Sequence, residues 1–207
     1  GLADMVLVTG AERYDSPGQI LEWDNSRGEF KHPIFWASIF SKSYKREYGI
    51  SDEQLAIVSV KNHKQAKENP NALSKKTYTV EEVMNSKKLT DDLRLLNCSR
   101  PCTGSASILL ASKEVAEKYT DMPIWITGIG QKTTSAGFTK NTSLTSMEST
   151  AIAGQSALKM SNRNISEIDV AELHDAFSVC EPMILESLGF TNPGEGINMS
   201  QKLHEEN

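Results

Sequence analysis

An α/β fold interrupted by a mainly helical insertion is predicted from three features of the sequence. Short β-rich runs at residues 4–9, 105–112 and 123–127 alternate with helix-forming stretches. Such β-α-β alternation favours helices on both sides of a sheet. Between residues 34 and 88 the pattern is helical, with no convincing strand, so this span splits the α/β part in sequence.

The first run, Asp4 to Thr9, is nearly continuous in apolar residues and is expected to be a strand buried on both faces. A chain that starts at Gly1 directly before such a strand is expected to have lost something upstream. Residues from Tyr14 to His32 are rich in Gly, Pro, Asp, Asn and Ser and read as loop. Phe35 to Tyr48 places Trp36, Phe40 and Tyr44 on one helical face and stops before Gly49. Ser51 is an expected N-cap, with Asp52 and Glu53 in the first turn, where the helix dipole favours carboxylates. That helix carries Leu55, Val58 and a charged run from Lys61 to Lys67 before Asn69 and Pro70 end it. Thr79 is expected to cap another short helix. "SASILLAS" then reads as strand, "KEVAEKY" as helix, Pro123 to Thr127 as strand and "MESTAIAGQSALKMS" as helix. "ISEIDVAEL" is the last predicted strand, and Pro182 requires the helix after it to begin nearby or to kink.

Composition narrows the function classes. With 207 residues, 38% of them hydrophobic, the chain can build a sizeable core, and a soluble globular protein is expected. The net charge of −5 is spread over both signs, with no basic stripe for nucleic acid. No apolar run approaches the roughly 20 residues of a membrane span, and no signal peptide is evident, so a cytoplasmic location is expected. Three irregularly spaced cysteines make no disulfide framework. Cys98 and Cys102 lack a second ligand pair at metal spacing, so no metal site is expected; the plain reading is small buried thiols.

His174 and Asp175 lie just beyond the predicted strand, where ligand crevices open in α/β sheets and a following helix aims free N–H groups. An imidazole there can donate to a developing oxyanion or accept a proton near neutral pH. A histidine beside an acid is as often a satisfied structural residue, so both readings stand on the residues alone. Of the others, His63 reads as a polar residue on a solvated helix face, His32 as loop and His204 as part of a frayed tail.

"ISEIDVAELHDAFSVCEPMILESLGF" followed by "GEG" resembles the C-terminal-half signature of thiolases, in the sterol-carrier-protein-type and archaeal branch that carries His-Asp-x-Phe. "GLADMVLVTGAE", "VKNHKQAKENPNA", "TVEEVMNSKKLTDDLRLLNCS" and "GSASILLAS" occur in the order of that branch, so the resemblance covers nearly the whole chain. It implies a layered α/β/α thiolase-like fold, incomplete here. Residues 1–33 would belong to the N-terminal half, 34–88 to the helical loop domain that covers coenzyme A, 89–119 again to the N-terminal half, and 120–207 to the C-terminal half.

The implied chemistry is that of an acetyl-CoA C-acetyltransferase, with coenzyme A thioesters as substrates and no permanently bound cofactor. By resemblance, His174 contributes with a water to an oxyanion hole, Ala176 and Phe177 lie beside the pantetheine arm, and Ser99, a further expected coenzyme A-binding residue, falls near the family's turn before the Asn-Asp-Gly-type motif. Thr103 stands where the family usually has Asp, which weakens any role tied to that carboxylate. Phe35 and Trp36 fall near the family's acyl pocket, although a helical aromatic face is more often core. The nucleophilic cysteine, the Gly-His-Pro histidine and the second cysteine of the family have no matching motif in this chain, so the chain alone is expected not to turn over. The alternative is a noncatalytic thiolase-like module that binds coenzyme A or serves assembly. Expected partners are acetyl-CoA and acetoacetyl-CoA, further copies of the chain, a hydroxymethylglutaryl-CoA synthase and a small scaffold with an oligonucleotide-binding-type fold.

Overall fold

The computed structural model describes residues 2–12, 33–135 and 143–205, so the predicted loop from Tyr14 to His32 lies outside the described residues. In chain order the elements are β1 (Met5–Glu12), α1 (Pro33–Tyr48), α2 (Asp52–Glu68), α3 (Val80–Met84), β2 (Lys88–Thr90), β3 (Leu93–Arg94), β4 (Gly104–Ala111), α4 (Lys113–Tyr119), α5 (Glu148–Ser161), α6 (Cys180–Leu188) and α7 (Gly196–Glu205). Two short 3-10 turns, Leu95–Asn97 and Ile165–Glu167, are also present among the described residues. They divide into two compact units, Gly1–Glu22 with Arg100–Thr127, and Trp23–Ser99 with Gly128–Asn207.

In the first unit β1 and β4 form an antiparallel ladder in unbroken register from Met5↔Ala111 to Glu12↔Gly104. The strand expected over residues 4–9 is therefore present and longer, but it is exposed along its whole length rather than buried on both faces. Within this unit the sheet has two strands among the described residues, with no third strand to extend it, and an apolar run alone cannot supply one. The run Pro123–Thr127 forms no strand. β composition prepares such a segment for pairing, but it becomes a strand only when a neighbour takes up its N–H and C=O groups.

The second unit is helical, and its caps follow the sequence closely. Ser51 Oγ accepts from the Gln54 N–H at 3.2 Å while Gln54 Oε1 accepts from the Ser51 N–H at 3.0 Å, a complete capping box before α2. Thr79 and Glu82 repeat the device at α3, at 3.1 and 2.8 Å. α6 begins at Cys180, which leaves Pro182 inside the first turn, where its missing N–H has no helical partner to lose. The same helix ends at Gly189 with φ +89°, a left-handed cap that glycine adopts without strain. The described part of the last segment is not a frayed tail: it forms α7, with Ile197 and Ser200 fully buried.

α2 is the centre of this unit because it is buried on two sides. Leu55 and Val58 join Tyr44, Val179, Met183 and Ile197 in one cluster, whereas Ala56 and Val60 meet Val83 in a second. Of the aromatic face expected on α1, Tyr44 is fully buried and Phe40 packs against the first cluster, so that face is core. Lys45 anchors α1 to Asp52 at 2.6 Å and to Asp92 at 2.9 Å; Asp92 lies in the turn of the small β2–β3 hairpin, which the sequence reading did not foresee.

Candidate functional site

Three of the four site residues expected from sequence meet in one place. The Ser99 N–H donates to the Ala176 carbonyl at 2.9 Å and the Ser178 N–H donates to the Asn97 carbonyl at 2.8 Å. Between these bonds Cys98 and Phe177 form an antiparallel bridge. Ser99, Ala176 and Phe177 are thus held by main-chain pairing, and Phe177 also packs on the core cluster of Tyr44, Val58 and Met183. The Cys180 N–H then donates to the Phe177 carbonyl at 2.7 Å, which starts the turn into α6.

His174 stands two residues ahead of this knot and is exposed, so its ring is not sealed in apolar packing. The strand expected before it is absent: Ile165–Glu167 is a 3-10 turn, and residues 168–173 pair with no other strand among the described residues. The histidine is therefore presented by a loop that runs into α6 rather than by a strand end.

Below that loop lies a buried polar network that the sequence reading missed. Lys61 and Glu181 are each only 5% exposed, and the Lys61 ammonium sits 3.1 Å from Glu181 Oε2. Lys61 also donates to Asn62 Oδ1, which fixes the orientation of that amide. Its Nδ2 then donates to Asp175 Oδ2 and, at 3.0 Å, to Glu181 Oε2. The Ser200 hydroxyl completes the set by donating to Glu181 Oε1 at 2.6 Å. Burial raises the pKa of Asp175 and the nearby Glu181 carboxylate adds to the rise, while Asn62 and Lys61 oppose it.

The charged run Lys61 to Lys67 is accordingly not one solvated face. Lys61 follows Val58 by three residues and Asn62 follows Leu55 by seven, the spacing that shares a helical stripe. That spacing was the available signal, hidden by the charge of lysine. His63 is half-buried and meets Tyr78 edge-on, ring centroids 4.7 Å apart. Burial lowers its pKa, against a hydrogen bond to the Lys76 main chain. His32 lies outside the described residues.

Burial pushes the Cys98 thiol up to about 11 and raises Cys180 as well, so neither is a thiolate at neutral pH. Both are half-buried and Cys102 is exposed, where buried thiols were expected for all three. No group of three or more His, Cys, Asp or Glu side chains is placed to hold a metal ion among the described residues. No described helix is long and apolar enough to cross a membrane.

Residues 130–206 match the family described as Thiolase C-terminal domain-like. The chain is 34% identical over 203 residues to an acetyl-CoA acetyltransferase of Methanothermobacter thermautotrophicus, covering 95% of this chain and 53% of that protein. It is 28% identical over 222 residues to sterol carrier protein 2 of Gallus gallus, covering 96% of this chain and 40% of the relative. Among solved structures it resembles an Ltp2-ChsH2(DUF35) aldolase with TM-score 0.87 and 26% identity, over 97% of this chain and 56% of that one. The chain spans about half the length of the curated relatives it matches. With likeness of this kind running along nearly its whole length, and a thiolase-like α/β fold, the chain belongs to the thiolase superfamily.

Proposed function

We propose that this chain is part of a thiolase that makes or cleaves acetoacetyl-CoA, with His174 steadying the negative charge that develops on a thioester oxygen. The observation that carries the reading is the setting of His174: exposed, and two residues before a stretch whose main chain is pinned at Ser99–Ala176 and Asn97–Ser178. Such a donor is worth most when it does not have to reorganise as charge builds up. In the same reading Ala176, Phe177 and Ser99 line the path of a pantetheine arm. The acyl group would be carried by a cysteine outside the residues matched here, because Cys98 and Cys180 are held as thiols.

The likeness to an aldolase supports a second reading, in which the same imidazole stabilises an enolate during carbon–carbon cleavage without transfer to coenzyme A. That relative is a complex with a DUF35 protein, and we propose a partner of this class alongside self-association; a hydroxymethylglutaryl-CoA synthase partner rests on the resemblance alone. The noncatalytic module remains the third outcome. The test is acetoacetyl-CoA thiolysis and a retro-aldol assay on a 3-hydroxyacyl-CoA, each run on this chain and on a version extended to the relatives' length. Thiolysis by the extended protein that falls about a hundredfold in His174→Ala supports the first reading. Cleavage that needs no coenzyme A replaces it with the second, and tight coenzyme A binding without turnover leaves the module.

A further inference from the structure

We infer that Asn62, oriented by Lys61, is a positioning residue for His174, and this inference rests on the proposed role of that histidine. Among the described residues no hydrogen bond holds His174 itself, so the place of its ring depends on its neighbours in the chain. Two residues further on, the main chain is tied by Ser99 and Asn97. Directly after the histidine, the side chain of Asp175 is tied by the amide of Asn62 on α2. The histidine thus stands next to a residue clamped to a different helix.

The clamp has a definite polarity. A side-chain amide can present either its oxygen or its nitrogen, and only the nitrogen is compatible with two carboxylates. Lys61 decides between them, because its ammonium donates to Asn62 Oδ1 and turns Nδ2 toward Asp175 and Glu181. Lys61 is itself held by Glu181, whose other oxygen accepts from Ser200 on α7. The network therefore draws on α2, α6 and α7, and Asn62 of α2 is the member that bonds the residue after His174. Without the amide nitrogen, two carboxylates would share a desolvated region in which the Lys61 ammonium pairs with Glu181, and the exposed loop end is the part free to move away.

Displacement of a donor by about 1 Å costs catalysis far more than binding. Asn62→Ala should therefore lower kcat for the thioester reaction about tenfold to a hundredfold while KM stays within about twofold. The backbone order parameter of His174, measured by NMR relaxation, should fall from the rigid value of about 0.85 to below about 0.6. The isosteric Asn62→Asp, which keeps the shape but loses both donors, should loosen His174 in the same way and serves if the alanine variant does not fold. Val58→Ala, a core truncation on the same helix, is the control: it should lower the unfolding midpoint and leave the His174 signal rigid. Loosening of His174 without any wild-type turnover would support the clamp and remove the proposed chemistry. A folded Asn62 variant with His174 as ordered as in the wild type, or equal loosening in Val58→Ala, would overturn the inference.

Discussion

Asp175 carries a cost at neutral pH that its partners offset only in part. Its pKa is raised from 3.8, with burial as the largest cause and Glu181 second, so the folded chain holds its proton to higher pH than the unfolded chain does. Between those two values the native state binds more protons, and stability falls as pH rises through the window and stays low above it. Asp175→Asn keeps an oxygen to accept from Asn62 and removes the charge. The variant should unfold at higher denaturant than the wild type at pH 7, with the gap closing as pH drops toward 3.8. A constant gap across that range, measured by urea titration at several pH values, would show that charge is not the cause. At this scale the sequence disclosed the neighbours but not their terms. His174, Ala176 and Phe177 were legible as a motif, whereas the pairing of Ser99 with Ala176 joins residues far apart in the chain, which no local pattern encodes.

Helices were read well because their signals are local. Ser51 with Gln54, and Thr79 with Glu82, each fix a helix start within four residues, and the structure forms both boxes. The face that a helix buries is a less local matter. α2 buries Lys61 together with Leu55 and Val58, since Glu181 of α6 and Ser200 of α7 wait on the other side. A buried ion pair of this kind gives an asymmetric response to substitution. Lys61→Met alone leaves Glu181 charged and uncompensated and should cost about 3–5 kcal/mol of unfolding free energy. Lys61→Met combined with Glu181→Met removes both charges and should recover most of that loss, although Ser200 and Asn62 then lose acceptors. Chemical denaturation of the single and double variants separates the two cases. Additive losses would mean that the two charges are not coupled, and that the single variant's loss does not come from an uncompensated partner.

Strands are where a reading of this chain met its limit, and the reason belongs to the whole molecule. A β-rich run states that a segment will pair and does not state with what: residues 4–9 found β4, whereas Pro123–Thr127 and residues 168–173 form no strand among the described residues. The β1–β4 ribbon that did form leaves Leu7 and Leu109, which are direct cross-strand partners, 65% and 61% exposed. Val8 and Ile108, the next pair, lie on the opposite side and are 50% and 62% exposed. Apolar side chains on both faces of a ribbon whose outer edges pair with no further strand among the described residues make a surface that water tolerates poorly and other chains can extend. The 207-residue chain alone should therefore associate in a concentration-dependent way, visible in sedimentation velocity as a rise of the mean sedimentation coefficient. Leu7→Lys with Leu109→Lys places two like charges opposite one another on one face, so it should shift the chain toward monomer. Like charges opposite one another weaken pairing in the ribbon, so the far-ultraviolet spectrum has to show the helices unchanged for the comparison to hold. If the wild-type chain stays monomeric over the whole accessible concentration range, the ribbon is not a sticky surface, and its apolar residues answer to a constraint other than association.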